Sequence, residues 1–308
     1  MPALLHDPGL NALIAQMPVL SNVTGISVLG GGLTNKNYRI DTNNGTCVMR
    51  VSDTAPGLLG INRLNEKINT QRAHEAGIGP VVIDSLLQQG VLLIGWIDAT
   101  TLHPSAMQGN TGLLKRMAAS LRILHAAPAF AGTFHFPSLR KKYLNTVLEN
   151  NYFIPDQYLQ AEPLITALED AIAANPERLV SCNNDLLAEN FMDDGTKIWI
   201  IDYEYSGMNE ASFEIGNLAS ESGLSVEDLS ILCDAYWQEH LPAKVARARA
   251  WSMIARYGWM MWASIQSAVS TIDFDFKTWG IKKWDSVLPE LKSDNYYSVL
   301  HTIKQAHS

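Results

Sequence analysis

Residues 181–205 read SCNNDLLAENFMDDGTKIWIIDYEY. The Asp193-Asp194-Gly195 run between two short apolar segments, 190–192 and 198–201, predicts a β-hairpin. That hairpin carries Asn190 at one end and Asp202 at the other, with Asp185 on the loop leading in. Three oxygen-bearing side chains thus converge on one small volume. Oxygen ligands suit Mg²⁺, which takes only one or two protein carboxylates when it also binds phosphates. A further carboxylate, off the metal, can take the proton of a hydroxyl nucleophile. The stretch predicts a phosphoryl-transfer site.

Working outward, the N-terminal part is strand-rich. Residues 28–29 and 37–40 are strand-like, and Gly30-Gly31-Gly32-Leu33-Thr34-Asn35 turns between them. A second turn at Asn43-Asn44-Gly45 leads into a strand over 46–51. Glycines such as Gly31 and Gly32 let backbone amides approach a phosphate, and Thr34 and Asn35 add donors. This is not the GxxxxGK[ST] loop, and alone it reads equally as a hairpin tip. Arg50, on the third strand, is placed to point inward at phosphates, with Glu66 in the helical stretch 63–76 as its partner. The plainer reading makes both of them surface charges. Strand-like runs at 81–84 and 91–97 precede a polar stretch, 100–110, where the chain turns helix-rich. We therefore expect two lobes, 1–97 and 98–308.

In the second lobe, 113–125 has helical apolar spacing and ends at His125, which reads as a cap or packing residue. Two further helices follow over 139–175. Beyond the opening stretch, Glu204 and Glu210 read as a solvated face. Glu214 and Glu221 are flanked by small and apolar residues and call for partners. From 244 to 270 one long helix places Trp259 and Trp262 on one face, and Phe276 and Trp279 repeat that spacing beside Asp273 and Asp275. Such stripes are usually core. The other reading is an aromatic cage for a quaternary ammonium ion.

The bulk properties narrow the field. The 308 residues are 47% hydrophobic and 18% charged, enough for a sizeable core. Twenty-three Lys and Arg against 31 Asp and Glu give a net charge of −8, which excludes a general nucleic-acid binder and suits a cationic partner. Cys47, Cys182 and Cys233 are too far apart for a CxxC site, so a reducing compartment is expected. The first twenty residues do not read as a signal peptide, and no stretch reads as a membrane span. We expect a cytoplasmic protein without membrane insertion.

The run NNDLLAEN…IDYEY resembles the catalytic signature of the aminoglycoside phosphotransferase and choline kinase superfamily. The segments IDYEYSGMN…FEIGN…SE and WMMWASIQ…STIDFDF are similar to those of the choline/ethanolamine kinases, and the likeness runs from about residue 28 to 285. The resemblance implies an α+β, two-lobed protein-kinase-like fold, with a small mainly β N-terminal lobe and a larger helical C-terminal lobe. It implies ATP and Mg²⁺ as cofactors and a small cationic amino alcohol as substrate, choline first and ethanolamine as the alternative. By the same resemblance Asp185 is the catalytic base, and Asn190 and Asp202 hold the metal. Gly31, Gly32, Thr34 and Asn35 cover the phosphates, which Arg50 contacts while paired with Glu66. Glu221 lies by the ammonium group, with Trp259, Trp262, Phe276 and Trp279 as cage walls. Asn183 stands where the family usually has His, and is expected to supply a substitute hydrogen bond. Leu187, Phe276 and Trp279 also depart from the pattern, and a catalytically silent relative is the rival reading.

Overall fold

The computed structural model describes residues 7–30, 32–52 and 59–305, so Gly31 lies outside the described residues. Helix α1 (Pro8–Ile14) is capped by the Asp7 carboxylate, which accepts from the amides of Gly9 and Leu10. Strands β1 (Val23–Leu29), β2 (Asn35–Thr42), β3 (Gly45–Ser52), β4 (Val82–Leu86) and β5 (Val91–Gly95) form an antiparallel sheet in the order β1-β2-β3-β5-β4. β1 begins earlier than the sequence suggests, because an irregularity between Val23 and Gly25 breaks the alternation there.

The two-residue period of a strand decides where Arg50 goes. On β3, Cys47 and Met49 join Ile26, Ile40 and Leu93 in a core that Leu10, Met17 and Leu20 cover. Val48 and Arg50 therefore project from the other face, into the cleft. Helix α2 (Arg63–Glu75), capped by Asn62, brings Glu66 to the same region.

The remainder is mostly helical. In chain order come β6 (Thr100–Thr101), α3 (Pro104–Met107), α4 (Thr111–His125), α5 (Phe136–Glu149) and α6 (Tyr158–Ala173). Next are β7 (Leu179–Cys182), β8 (Phe191–Asp193), β9 (Ile198–Ile200) and β10 (Gly207–Glu210). Helices α7 (Ala211–Glu221), α8 (Val226–Trp237), α9 (Pro242–Val269), α10 (Phe276–Leu291) and α11 (Asp294–Gln305) complete the chain. The predicted hairpin is β8–β9, with Phe191 opposite Ile200 and Asp193 opposite Ile198. Asp194 closes its turn by accepting from the amides of Thr196 and Lys197 and the Trp199 indole. The strand β7 pairs with β10, so the segments on either side of the hairpin are tied together.

The 28-residue α9 is the spine of this region and packs against α5, α7, α10 and α11. Its closest approach to α7 is at Gly216, where a Cβ would sit 2.2 Å from the Ala248 carbonyl oxygen. Backbone cannot yield as a side chain does, so Gly216→Ala should lower unfolding stability by about 3 kcal/mol or more, read from urea denaturation. A midpoint unchanged from wild type would contradict that crossing.

The expectation of a solvated face at Glu204 and Glu210 is overturned: both are buried. Each has cationic or polar partners that make burial tolerable. Glu210 takes the Arg247 guanidinium at 2.7 Å and the Trp251 indole N–H at 3.2 Å. Glu204 belongs to the site described next. Among the described residues, no helix is long and apolar enough to cross a membrane.

Candidate active site

The loop 183–190 is held by side-chain amides. Asn183 donates to the backbone carbonyls of Ile201 (3.1 Å) and Asp202 (2.7 Å) and accepts from the Asp185 amide (3.0 Å). One amide thus fastens the loop to the segment bearing Asp202. Asn184 donates to the Tyr205 carbonyl and accepts from Asn209. Both backbone amides, of Asn183 and Asn184, donate to Glu214 Oε1 at 2.6 and 2.8 Å. Glu214 Oε2 meets His125 Nε2 at 2.5 Å, and His125 Nδ1 meets the Tyr236 hydroxyl at 2.6 Å. His125 therefore packs behind the loop, and Glu214 gains the partners that its setting requires.

Asn184 and Asp202 adopt the left-handed backbone region, with φ of 68° and 63°. Asn and Asp tolerate it best among residues with a Cβ, and such conformations gather at functional sites. Asn190 donates from Nδ2 to the Asp185 carbonyl at 2.7 Å, which leaves its Oδ1 as the acceptor. Asp202 Oδ1 meets the Arg50 guanidinium.

Two cavities meet here. One, of about 460 Å³, is lined by Leu29, Val48, Arg50, Ile94 to Ile97 and Met192. Another, of about 430 Å³, contains Asp185, Tyr205, Glu221, Trp259, Trp262 and Trp279. Gly32, Glu189, Asn190 and Asp202 belong to both walls. At Gly32 a Cβ would come 2.2 Å from the Asn35 carbonyl oxygen, so only glycine fits the turn where the cavities join.

The charges are dense. Arg50 lies 3.5 Å from Glu66 and 4.0 Å from Glu204, besides Asp202. Burial disfavours its positive charge, but Asp202, Glu66 and Glu204 outweigh that and hold its pKa above the ordinary value. Thr34 Oγ1 and Asn35 Nδ2 donate to Glu204 at 2.6 and 2.9 Å, and Arg63 reaches it at 3.2 Å. The side chains of Thr34 and Asn35 thus hold Glu204, instead of presenting their donors to phosphates as the sequence suggested. Burial, then the neighbouring Asp202 charge, pushes Glu204 up to about 7, against the pull of Arg63 and Arg50. Burial also raises the Asp185 carboxyl well above the usual range, helped by Glu204, Asp202 and Glu221 and opposed by Lys283.

The aromatic residues divide into wall and support. Trp262 donates to the Tyr205 hydroxyl at 3.0 Å, and Trp259 to Asn217 Oδ1 at 2.8 Å. Trp259, Trp262 and Trp279 line the cavity, whereas Phe276 is not part of its wall. Phe276 is buried in the core and packs edge-on against Trp262 at 5.7 Å. Phe276 opens α10 and is buried, while Trp279, three residues on, reaches the cavity wall. Tyr205, Ile272 and Phe274 also line the wall and escaped the sequence reading. Tyr205 directly follows the acidic Asp202–Glu204 run, and Phe274 lies in the Asp-Phe-Asp-Phe stretch, so both had a local signal.

Comparison with known proteins assigns the chain to a family. The family model described as choline/ethanolamine kinase matches residues 26–235. Mouse ethanolamine kinase 2 is 28% identical over 287 residues, covering 82% of this chain and 73% of its own length. Protein LicA of Haemophilus influenzae is 26% identical over 210 residues, covering 67% of this chain and 61% of its own length. A choline/ethanolamine kinase family protein from Mesorhizobium loti superposes with a TM-score of 0.84 at 27% identity, covering 96% of this chain and 98% of that one. The structure of an aminoglycoside phosphotransferase bound to ADP and hygromycin B superposes with a TM-score of 0.65 at 14% identity, a likeness of fold. With a β-sheet N-terminal region, a mostly helical remainder and a family match over more than half its length, the chain belongs to the choline/ethanolamine kinases, a family of ATP-dependent small-molecule kinases acting on an alcohol.

Proposed function

We propose that this protein transfers the γ-phosphate of ATP to the hydroxyl of a small cationic amino alcohol. One observation carries the reading: two cavities share Asn190 and Asp202, with Arg50 on one side and Asp185 on the other. In phosphoryl transfer the protein's work is positioning and charge neutralisation, so donor and acceptor must meet at such a junction. The 460 Å³ cavity takes the nucleotide, with its base against Ile94 to Ile97 and its phosphates toward Arg50 and Gly32. Asp185 takes the hydroxyl proton in the 430 Å³ cavity.

The Asn190 amide oxygen and the Asp202 carboxylate fit Mg²⁺, since both are hard oxygen donors and together bring a single negative charge. When bound there, the ion would neutralise the charge that develops on the transferred phosphoryl group. The chain's own residues do the rest. Asn183 and Glu214 hold the loop in register, and Arg50 holds Asp202 in place while countering the neighbouring carboxylates.

Aromatic walls suit choline, whose methylated cation has no N–H to donate and relies on Trp faces. The carboxylate of Glu221 in the same wall favours ethanolamine equally. Coupled ADP release, screened over choline, ethanolamine and the intermediate methylated ethanolamines, tests the reading. Chelating divalent metal should reduce product to background, and Mg²⁺ should restore it. Turnover that persists in the chelator would remove Asn190 and Asp202 as metal holders. A complete lack of product with every amino alcohol would overturn the proposal.

A further inference from the structure

The cation end of the 430 Å³ cavity contains an acceptor that has no donor. Glu221 closes α7 with its side chain 3% exposed, and it lines the cavity. Its Oε2 accepts from the Lys283 ammonium at 2.6 Å. Its Oε1 is buried and has no hydrogen-bond partner among the described residues. A carboxylate oxygen left so is unfavourable, and a cationic N–H is its natural complement. Lys283 lies on α10 four residues after Trp279, on the same helical face. Its ammonium sits 3.9 Å from the Trp279 ring centroid. One charge therefore touches both a carboxylate and an indole of the cavity wall, while Lys283 itself is not among the lining residues.

We propose that Lys283 is a positioning residue that sets substrate preference from behind this wall. By holding Glu221 Oε2 and the Trp279 ring, it keeps Oε1 as the single acceptor for the N–H of a protonated amino alcohol. The inference rests on the reading of this cavity as the acceptor site. A compact ammonium engages one oxygen, whereas a guanidinium fork matches both oxygens of a carboxylate. A quaternary ammonium ion lacks the N–H and depends on the Trp faces alone.

The test measures binding of methylammonium and tetramethylammonium to the full chain by Trp fluorescence, beside turnover of ethanolamine and choline. Lys283→Arg keeps the charge and the ion pair but should occupy both oxygens. Methylammonium affinity should fall about tenfold, with tetramethylammonium nearly unchanged, and KM should rise for ethanolamine but not for choline. Lys283→Met frees both oxygens and leaves the carboxylate unpaired, so it should move the ratio the opposite way, toward methylammonium, and a thermal melt establishes that it folds. If it does not, the Arg variant carries the test. An unchanged affinity ratio in the folded variants, or an equal loss of both cations, overturns the role of Lys283. A shifted ratio without phosphorylation of any amino alcohol supports that role and overturns the proposed activity. Failure of the wild-type protein to bind either cation overturns both.

Discussion

Replacing Asp185 by Asn should lower kcat by about 10²–10⁴-fold while leaving ATP affinity near the wild-type value. The substitution is isosteric. The hydrogen bonds that shape the loop at this position use backbone atoms: the Asp185 amide donates to Asn183, and its carbonyl accepts from Asn190. Both survive in the variant, as do the Glu214 contacts to Asn183 and Asn184. What is lost is the carboxylate proposed to take the proton. The 460 Å³ cavity proposed to take the nucleotide does not include Asp185 in its wall, so ATP binding is a clean internal control. Single-turnover kinetics with equilibrium nucleotide binding separates the two effects. A variant within about tenfold of wild-type kcat would exclude Asp185 as the base.

Arg50→Met should be costly twice over. Arg50 is buried, and its guanidinium is shared among Asp202, Glu66 and Glu204. Methionine fills much of the volume but leaves three acidic groups around an apolar side chain. Removing one partner from a buried ionic cluster typically costs about 3–5 kcal/mol, because the uncompensated charge remains. Arg63 still reaches Glu66 and Glu204, so Asp202 is the group left most exposed to the change. Chemical denaturation should show that loss of stability, and KM for ATP should rise in the folded fraction. Arg50→Lys should recover much of the stability, since it restores the charge, but less of the ATP affinity, since it lacks the planar fork. Equal stability of Met and wild type would mean that the cluster is solvated and that Arg50 is not its counter-ion.

Much of the site was legible because it is local. Asp185, Asn190 and Asp202 lie within eighteen residues, and a turn signature between apolar runs brings Asn190 and Asp202 to the same end of one hairpin. Arg50 was legible for a similar reason, since strand alternation opposes it to the core face. The errors came where long-range partners decide. Glu204 looks like a surface charge in sequence, yet Thr34, Asn35 and Arg63, up to 170 residues away, enclose it. Phe276 and Trp279 share a spacing with Trp259 and Trp262, but spacing does not reveal which of them reaches the opening. The packing of α10 on α9 leaves Phe276 in the core and Trp279 in the wall.

The sequence by itself determined where the candidate chemistry sits: an acid on a loop, two oxygen donors on a hairpin, and a β-rich region followed by a helical one around them. Hydrophobic period and turn chemistry act over a few residues, and these features need no more than that. The packing of α7, α9 and α10 decided what the chain alone does not state, which is how the cation end of the cavity is built. Glu221, Trp262 and Lys283 come from three separate helices, with Lys283 touching Glu221 and Trp279, and Trp279 packed on Trp262. Their placement depends on crossings such as Gly216 against Ala248. The proposed control of substrate preference is therefore a tertiary property, because the Glu221 carboxylate and the Lys283 ammonium that holds it come from separate helices.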